Sequence, residues 1–229
     1  PIVEAVRRTG IKFMISLPQR SHAETLFLKK CLDEGYLGRV TLMRARIAHS
    51  AALDHWFKDG SLWFGDAARA GGGSLFDLGC HTVDVMRWLL GEPESVIATT
   101  SNLMGAYDID DQCVAVITFK SGATGILDVS WVHRAGPNMW EIYGTEGFVG
   151  RGMPGMPVQL QSQKAEVAGL TGSFSPAKLP DALPSPLEQW ISALAHDTPM
   201  QITVEDGRNL TELLEAIYTS AREDRSVRF

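Results

Sequence analysis

At 229 residues the chain is long enough to bury a substantial core, and 45% hydrophobic against 21% charged residues is the balance of an ordinary globular protein. A formal net charge of −6 with no Lys/Arg cluster argues against a nucleic-acid partner, and no apolar run approaches the roughly 18–20 residues needed to cross a bilayer. The three cysteines, Cys31, Cys80 and Cys113, are scattered and form no CxxC pair or Cys/His cluster, so neither a disulfide framework nor a metal site is expected.

The opening Pro1-Ile2-Val3-Glu4 has no basic-then-apolar leader and no Met, which points to a cytoplasmic protein and to a fragment of a longer one. Residues 2–9 read as the end of a helix closed by Gly10, and Ile11 to Leu17 as a short buried strand. Ser21 is placed to cap a helix that carries Glu24, runs through Leu28 and Leu32, and stops at Gly35. From Arg39 to His49 the pattern turns to period two, with Thr41, Met43, Ala45 and Ile47 on one face and Arg44 and Arg46 on the other. Residues 50–70 form a long connection bearing Trp56, Phe57, Trp63 and Phe64, and a connection this long is more often functional than idle.

Gly71-Gly72-Gly73 leads into a helix from about Ser74 to Leu90, ended by Gly91 and Pro93. Strand-like segments dominate from 94 to about 162. The clearest hairpin signal is Gln112–Phe119, the turn Ser121-Gly122, and Ala123–His133. Further strands are predicted over 138–143 and 147–150, then a Pro/Gly/Ser-rich surface connection over 169–186. Helices over 186–196 and 204–223 finish the chain, the second opened by a Thr203/Asp206 capping box. This order predicts an α+β fold, an open and mainly antiparallel sheet with helices on one face. The other face, assigned Val114, Val116, Leu127 and Val129, calls for a second cover, and a homo-oligomer would supply it.

Within the central helix Asp77 and His81 stand four apart and share a face, and Asp84 and Trp88 continue the stripe. Polar groups in an apolar helix are costly to bury unless they are hydrogen-bonded or face a cleft. The three glycines allow backbone close to a ligand, and Gly79 costs about 1 kcal/mol relative to Ala, a sacrifice usually made for tight packing. A histidine of ordinary pKa near 6.5 is suited to take a proton from an alcohol, with a neighbouring carboxylate to fix its tautomer. The alternative is a satisfied core histidine with Asp77 as a local hydrogen-bond acceptor.

The stretch GGGSLFDLGCHTVDVMRWLLG resembles the signature helix of the glucose–fructose oxidoreductase, inositol dehydrogenase and rhizopine catabolism (Gfo/Idh/MocA) family. The likeness extends to IKFMISLPQRSHAETLFLKKCLDEGYLGRV, DIDDQCVAVITFKSGATGILDVSW, WEIYGTEGFVG and EDGRNLTELLEAIYTSAREDRSVRF, nearly the whole chain. It implies the C-terminal domain of a two-domain, Rossmann-containing oxidoreductase that moves a hydride between a sugar, cyclitol or related polyol and NAD or NADP. On that resemblance His81 is the general acid/base and Asp77 orients it or the substrate hydroxyl. Arg20 matches the family's arginine at the domain junction, and Trp56 and Asp84 join it as substrate-binding candidates.

The family's Gly-rich phosphate loop and Glu-Lys-Pro motif are not in this sequence. Residues 1–20 are therefore read as a remnant of the dinucleotide domain and 21–229 as the substrate-binding and oligomerisation domain, with no cofactor-binding residues and no activity alone. The rival reading is a non-catalytic oligomerisation or ligand-binding domain. The remaining signals are discounted. Gly150 to Gly155 matches G-x-G-x-x-G by chance, since Pro154 follows where a helix must open. The sequon at Asn209 falls inside a helix, and Asp108, Asp110 and Asp111 read as a solvated loop; His49 and His133 sit at strand ends where they could face the same cleft as His81, but their separation fits no metal spacing. Trp56, Trp63, Trp131 and Trp140 suit core or interface packing better than sugar stacking.

Overall fold

The computed structural model describes residues 1–152, 157–164, 173–176 and 178–229. In chain order its elements are α1 (Ile2–Thr9), α2 (Ala23–Asp33), β1 (Val40–Ala48), α3 (Ala67–Ala70), α4 (Cys80–Leu90), β2 (Pro93–Ser101), β3 (Gln112–Phe119), β4 (Thr124–Ser130), β5 (Trp140–Gly144), β6 (Gly147–Arg151), β7 (Gln159–Ser162), β8 (Ser173–Phe174), α5 (Pro186–His196), α6 (Val204–Glu223) and β9 (Val227–Arg228). Among the described residues the strands form one sheet of order β8-β7-β6-β5-β1-β4-β3-β2-β9. Every pairing is antiparallel except β1 with β4, whose parallel register runs from Leu42↔Thr124 to Ala48↔Ser130. The fold is the open, mainly antiparallel sheet that the alternation of strand patterns predicts.

The helices lie on one face. α6 runs along β2, α4 packs against α6 and β1, and α2 reaches β6. Between them Met43, Met86, Ile117, Leu127, Val129, Ile142 and Leu160 are fully buried in a single core. Helix α4 approaches so closely that a Cβ at Gly125 on β4 would stand 2.4 Å from Met86 Cε, and one at Gly79 would stand 2.8 Å from Leu75 Cδ1. The price of glycine in a helix is here explained by close packing onto Val129. The Thr203/Asp206 capping box of α6 forms as predicted, and Ser185/Glu188 makes another for α5.

Outside the central helix the structure corrects the sequence reading in four places. Residues 11–17 form no strand, because no described strand offers them a ladder; the segment is instead tied down by Trp190 Nε1 donating to Lys12 O at 3.1 Å. Ser21 closes a 3₁₀ turn (Pro18–Ser21) rather than capping α2, whose N-cap is His22. Leu127 and Val129 face the helices, paired in register with Ala115 and Cys113, while Val114 and Val116 point the other way. Side chains one apart on a strand take opposite faces, and the sequence reading had merged the two sets. Finally, Asp110 and Asp111 are not in a solvated loop: Asp111 is buried and accepts from Leu103 N and Met104 N at 2.9 and 2.8 Å.

Gly150 lies in β6 and opens no helix, while Met153 to Gly155 of the G-x-G-x-x-G match lie outside the described residues, as does the beginning of the 169–186 connection. No helix among the described residues is long and apolar enough to cross a membrane.

Candidate active site

The parallel pairing of β1 with β4 brings two strand ends together. Beyond Ala48 comes His49 and beyond Ser130 comes Trp131, and His49 N donates to Ser130 O at 2.9 Å. The segment Leu75–Gly79 lies over this end of the sheet, and it is a single π-helical turn leading into α4, where the sequence predicts uninterrupted α-helix. Such turns recur at functional sites because the wider turn re-aims side chains. Here it aims Asp77 at the two strand ends: Trp131 Nε1 donates to Asp77 Oδ2 at 3.0 Å, and His49 Nε2 lies 3.7 Å from the same oxygen.

What holds this turn is Asp110. Its carboxylate accepts from Gly73 N (2.8 Å), Ser74 Oγ (3.0 Å), Leu75 N (3.2 Å) and Tyr218 OH (2.8 Å), and its carbonyl accepts from Ser74 N. It caps the helix from a distant loop, satisfying N–H groups that the first turn leaves free. Burial and this carboxylate push the Tyr218 hydroxyl well up, so it remains a donor. A Cβ at Gly73 would stand 2.0 Å from Asp110 O. The glycines thus admit backbone close to this loop, within the chain itself.

His81 lies in the first turn of α4, half-buried. Burial lowers its pKa from the ordinary 6.5, against the raising effects of Asp77 and Asp84, so the ring is neutral at pH 7. Its Nδ1 is sealed from solvent and has no partner. Among the described residues it is one of a few buried side-chain atoms so left, together with Thr82 Oγ1 and Arg87 Nε on the same helix.

The structure brings Asp77, His81 and Trp56 into one neighbourhood. Trp56 is 49% exposed, and its ring centroid lies 4.5 Å from that of His49. Arg20 and Asp84 meet elsewhere on the stripe, and spend their charges on each other. Arg20 Nε and Nη2 donate to the two oxygens of Asp84 at 2.8 and 2.5 Å, Nη1 donates to Asp206 at 3.0 Å, and the guanidinium stacks 5.5 Å from Trp88. Asp84 is 2% exposed, so this bidentate pair is an internal clamp joining the Pro18–Ser21 turn, α4 and α6. His133 turns away to Arg46, its Nδ1 3.0 Å from Nη2. No group of three or more His, Cys, Asp or Glu able to hold a metal occurs among the described residues.

Sequence reasoning missed the contacts of Asp77 with Trp131 and His49, and the capping role of Asp110. Both depend on partners remote along the chain, and only the place of His49 at the end of a predicted strand hinted at the first.

A family model for the GFO/IDH/MocA C-terminal domain matches residues 25–149. D-apiose dehydrogenase of Paraburkholderia graminis is 25% identical over 99% of this chain and 61% of its own length, and levoglucosan dehydrogenase of Pseudarthrobacter phenanthrenivorans is 26% identical over 64% of this chain and 43% of its own. The chain therefore spans about half the length of these relatives. Among solved structures, GenD2 from gentamicin A biosynthesis in complex with NAD has a TM-score of 0.78 at 29% identity, covering 100% of this chain and 66% of that one. Levoglucosan dehydrogenase in complex with NADH and L-sorbose shares the fold with a TM-score of 0.85 at 22% identity, covering 99% and 68%. With more than half of its residues matched by that model, the chain belongs to the GFO/IDH/MocA family through its C-terminal domain.

Proposed function

We propose that this chain is the substrate-binding domain of an NAD(P)-dependent oxidoreductase acting on a sugar, cyclitol or related polyol hydroxyl. The observation that carries the reading is the His81 imidazole, its pKa lowered by burial, close enough to the Asp77 carboxylate to feel its charge. A neutral imidazole takes a proton from an alcohol, and the adjacent carboxylate stabilises the imidazolium that results. The relatives named as apiose, levoglucosan and inositol dehydrogenases support the substrate class, and the neighbours solved with NAD or NADH support the cofactor class.

In this reading His81 accepts the hydroxyl proton, and Asp77 orients it. Trp56 offers an exposed ring face to the substrate. The clamp of Arg20 on Asp84 anchors α4, so that His81, one turn earlier, keeps its place. A bound nicotinamide would supply the hydride acceptor for the carbinol carbon, or the hydride donor in the reverse direction. The residues fit the alcohol end of that exchange, and none is assigned to hold the dinucleotide. Residues 1–20 belong with the dinucleotide domain and 21–229 form the substrate and oligomerisation domain, pairing through the exposed sheet face with a second copy.

The test is turnover of the full-length protein on a panel of sugars and cyclitols with NAD and NADP, followed by reduced-nicotinamide absorbance. His81→Ala is expected to lower kcat by about 10²–10⁴-fold, the usual contribution of a general acid/base, with cofactor affinity unchanged. No turnover on any member of the panel, or equal turnover by the variant, removes the reading.

A further inference from the structure

Two imidazoles flank Asp77, and the proposed reaction uses only one. The second, His49, sits just beyond β1 with its backbone pinned on both sides: its N–H donates to Ser130 O at 2.9 Å, and its carbonyl accepts from His133 N at 3.3 Å. Ala51 N donates to His49 Nδ1 at 3.2 Å. That bond requires a lone pair on Nδ1, so the ring proton of the neutral tautomer is on Nε2. Nε2 is the atom that faces Asp77 Oδ2, at 3.7 Å. The ring itself is held between two indoles, Trp56 at 4.5 Å and Trp131 at 6.5 Å, the latter within 5° of parallel.

One carboxylate oxygen of Asp77 thus receives a hydrogen bond from Trp131 and faces the N–H of His49, while Oδ1 accepts no hydrogen bond from the described residues. His49 and Asp77 are each 24% exposed at the side chain. A packing histidine would be served by the indoles alone. It would not need Nδ1 occupied by a local N–H and Nε2 turned to a partly open carboxylate.

We propose that His49 is a positioning residue for Asp77: with Trp131 it holds Oδ2, so that Oδ1 is presented to the substrate hydroxyl and to His81. At 3.7 Å the His49 contact is longer than a hydrogen bond, and it shortens to one when substrate closes the site. The inference rests on the dehydrogenase reading above and adds a residue to it. His49 touches no reacting atom; it acts through Asp77.

The experiment compares H49F and H49Q in the full-length protein. The phenyl ring keeps the plate between the indoles and removes the donor, whereas the amide keeps a neutral N–H at similar reach. H49F is expected to lower kcat by about 10–100-fold, the loss seen when an orienting partner of a functional ligand is removed at metal sites, with KM changed little. H49Q is expected to recover most of the loss. Equal kcat in H49F and wild type overturns the role of His49 and leaves the dehydrogenase reading standing; an H49Q as impaired as a folded H49F overturns the donor. A wild-type protein inactive on every sugar and cyclitol overturns both. Should H49F not fold, ¹⁵N NMR of the wild type decides the matter: a ring proton on Nε2 of His49 is expected, and one on Nδ1 overturns the proposal.

Discussion

At the scale of single residues, His81 shows how burial makes a base. Its folded pKa is lowered, so below the ordinary value of 6.5 the unfolded chain binds a proton that the folded chain resists. The stability it contributes is complete above pH 6.5 and is lost as pH falls from there toward the folded pKa. The urea midpoint of the wild type is therefore expected to drop between pH 7.5 and 5.5, and by less in His81→Gln. Equal drops in the two proteins would mean that other histidines carry the effect. Gly73 is constrained by sterics rather than charge: a Cβ placed 2.0 Å from Asp110 O has to move backbone. Gly73→Ala is expected to destabilise by about 1–3 kcal/mol, as overpacking does, read as a lowered Tm; an unchanged Tm would show that the Asp110 loop yields freely. Four-residue spacing singled out Asp77 and His81 as candidates. The identity of Asp77's partners was not, since Trp131 looks like any core indole in a one-dimensional pattern.

At the scale of elements, the clamp between the Pro18–Ser21 turn, α4 and α6 is a buried ion pair, and such pairs are weak evidence for net stability. Removing one member is another matter, because Asp84 would be left almost without solvent or counter-charge. Arg20→Met is expected to cost about 3–5 kcal/mol in denaturant unfolding, and the Arg20→Met/Asp84→Leu double variant clearly less. A double variant as unstable as the single one would show that packing, rather than the stranded charge, is responsible. The helices were largely plain in the sequence, except for α3, which lies within the predicted connection, and the start of α2. Their capping residues, their glycine stops and their apolar spacing are local, and α5 and α6 begin and end where predicted. The π-turn was invisible, because it is imposed by Asp110 reaching across from a loop and by the close fit of Gly79 onto Val129.

At the scale of the whole molecule, the helices cover one face of the sheet, while Ile97, Val114 and Val116 are 53%, 39% and 40% exposed on the other. They are neighbours in the register of β2 and β3 and form an apolar strip on the uncovered side. If the strip meets a second copy, Val116→Lys lowers the mass seen in sedimentation velocity. Stability of the monomer is expected to stay within about 0.5 kcal/mol, as for surface substitutions. An unchanged mass would remove the sheet face from assembly. The sequence by itself determined the α+β class, the limits of α5 and α6, and the hairpin, because these follow from short-range periodicity and turn chemistry. Tertiary structure alone decided that β1 runs parallel to β4, that residues 11–17 stay out of the sheet, that Arg20 turns to Asp84, and that Trp131 and His49 meet Asp77. Each of these pairings joins residues remote along the chain, and their register is set by which faces can be buried together.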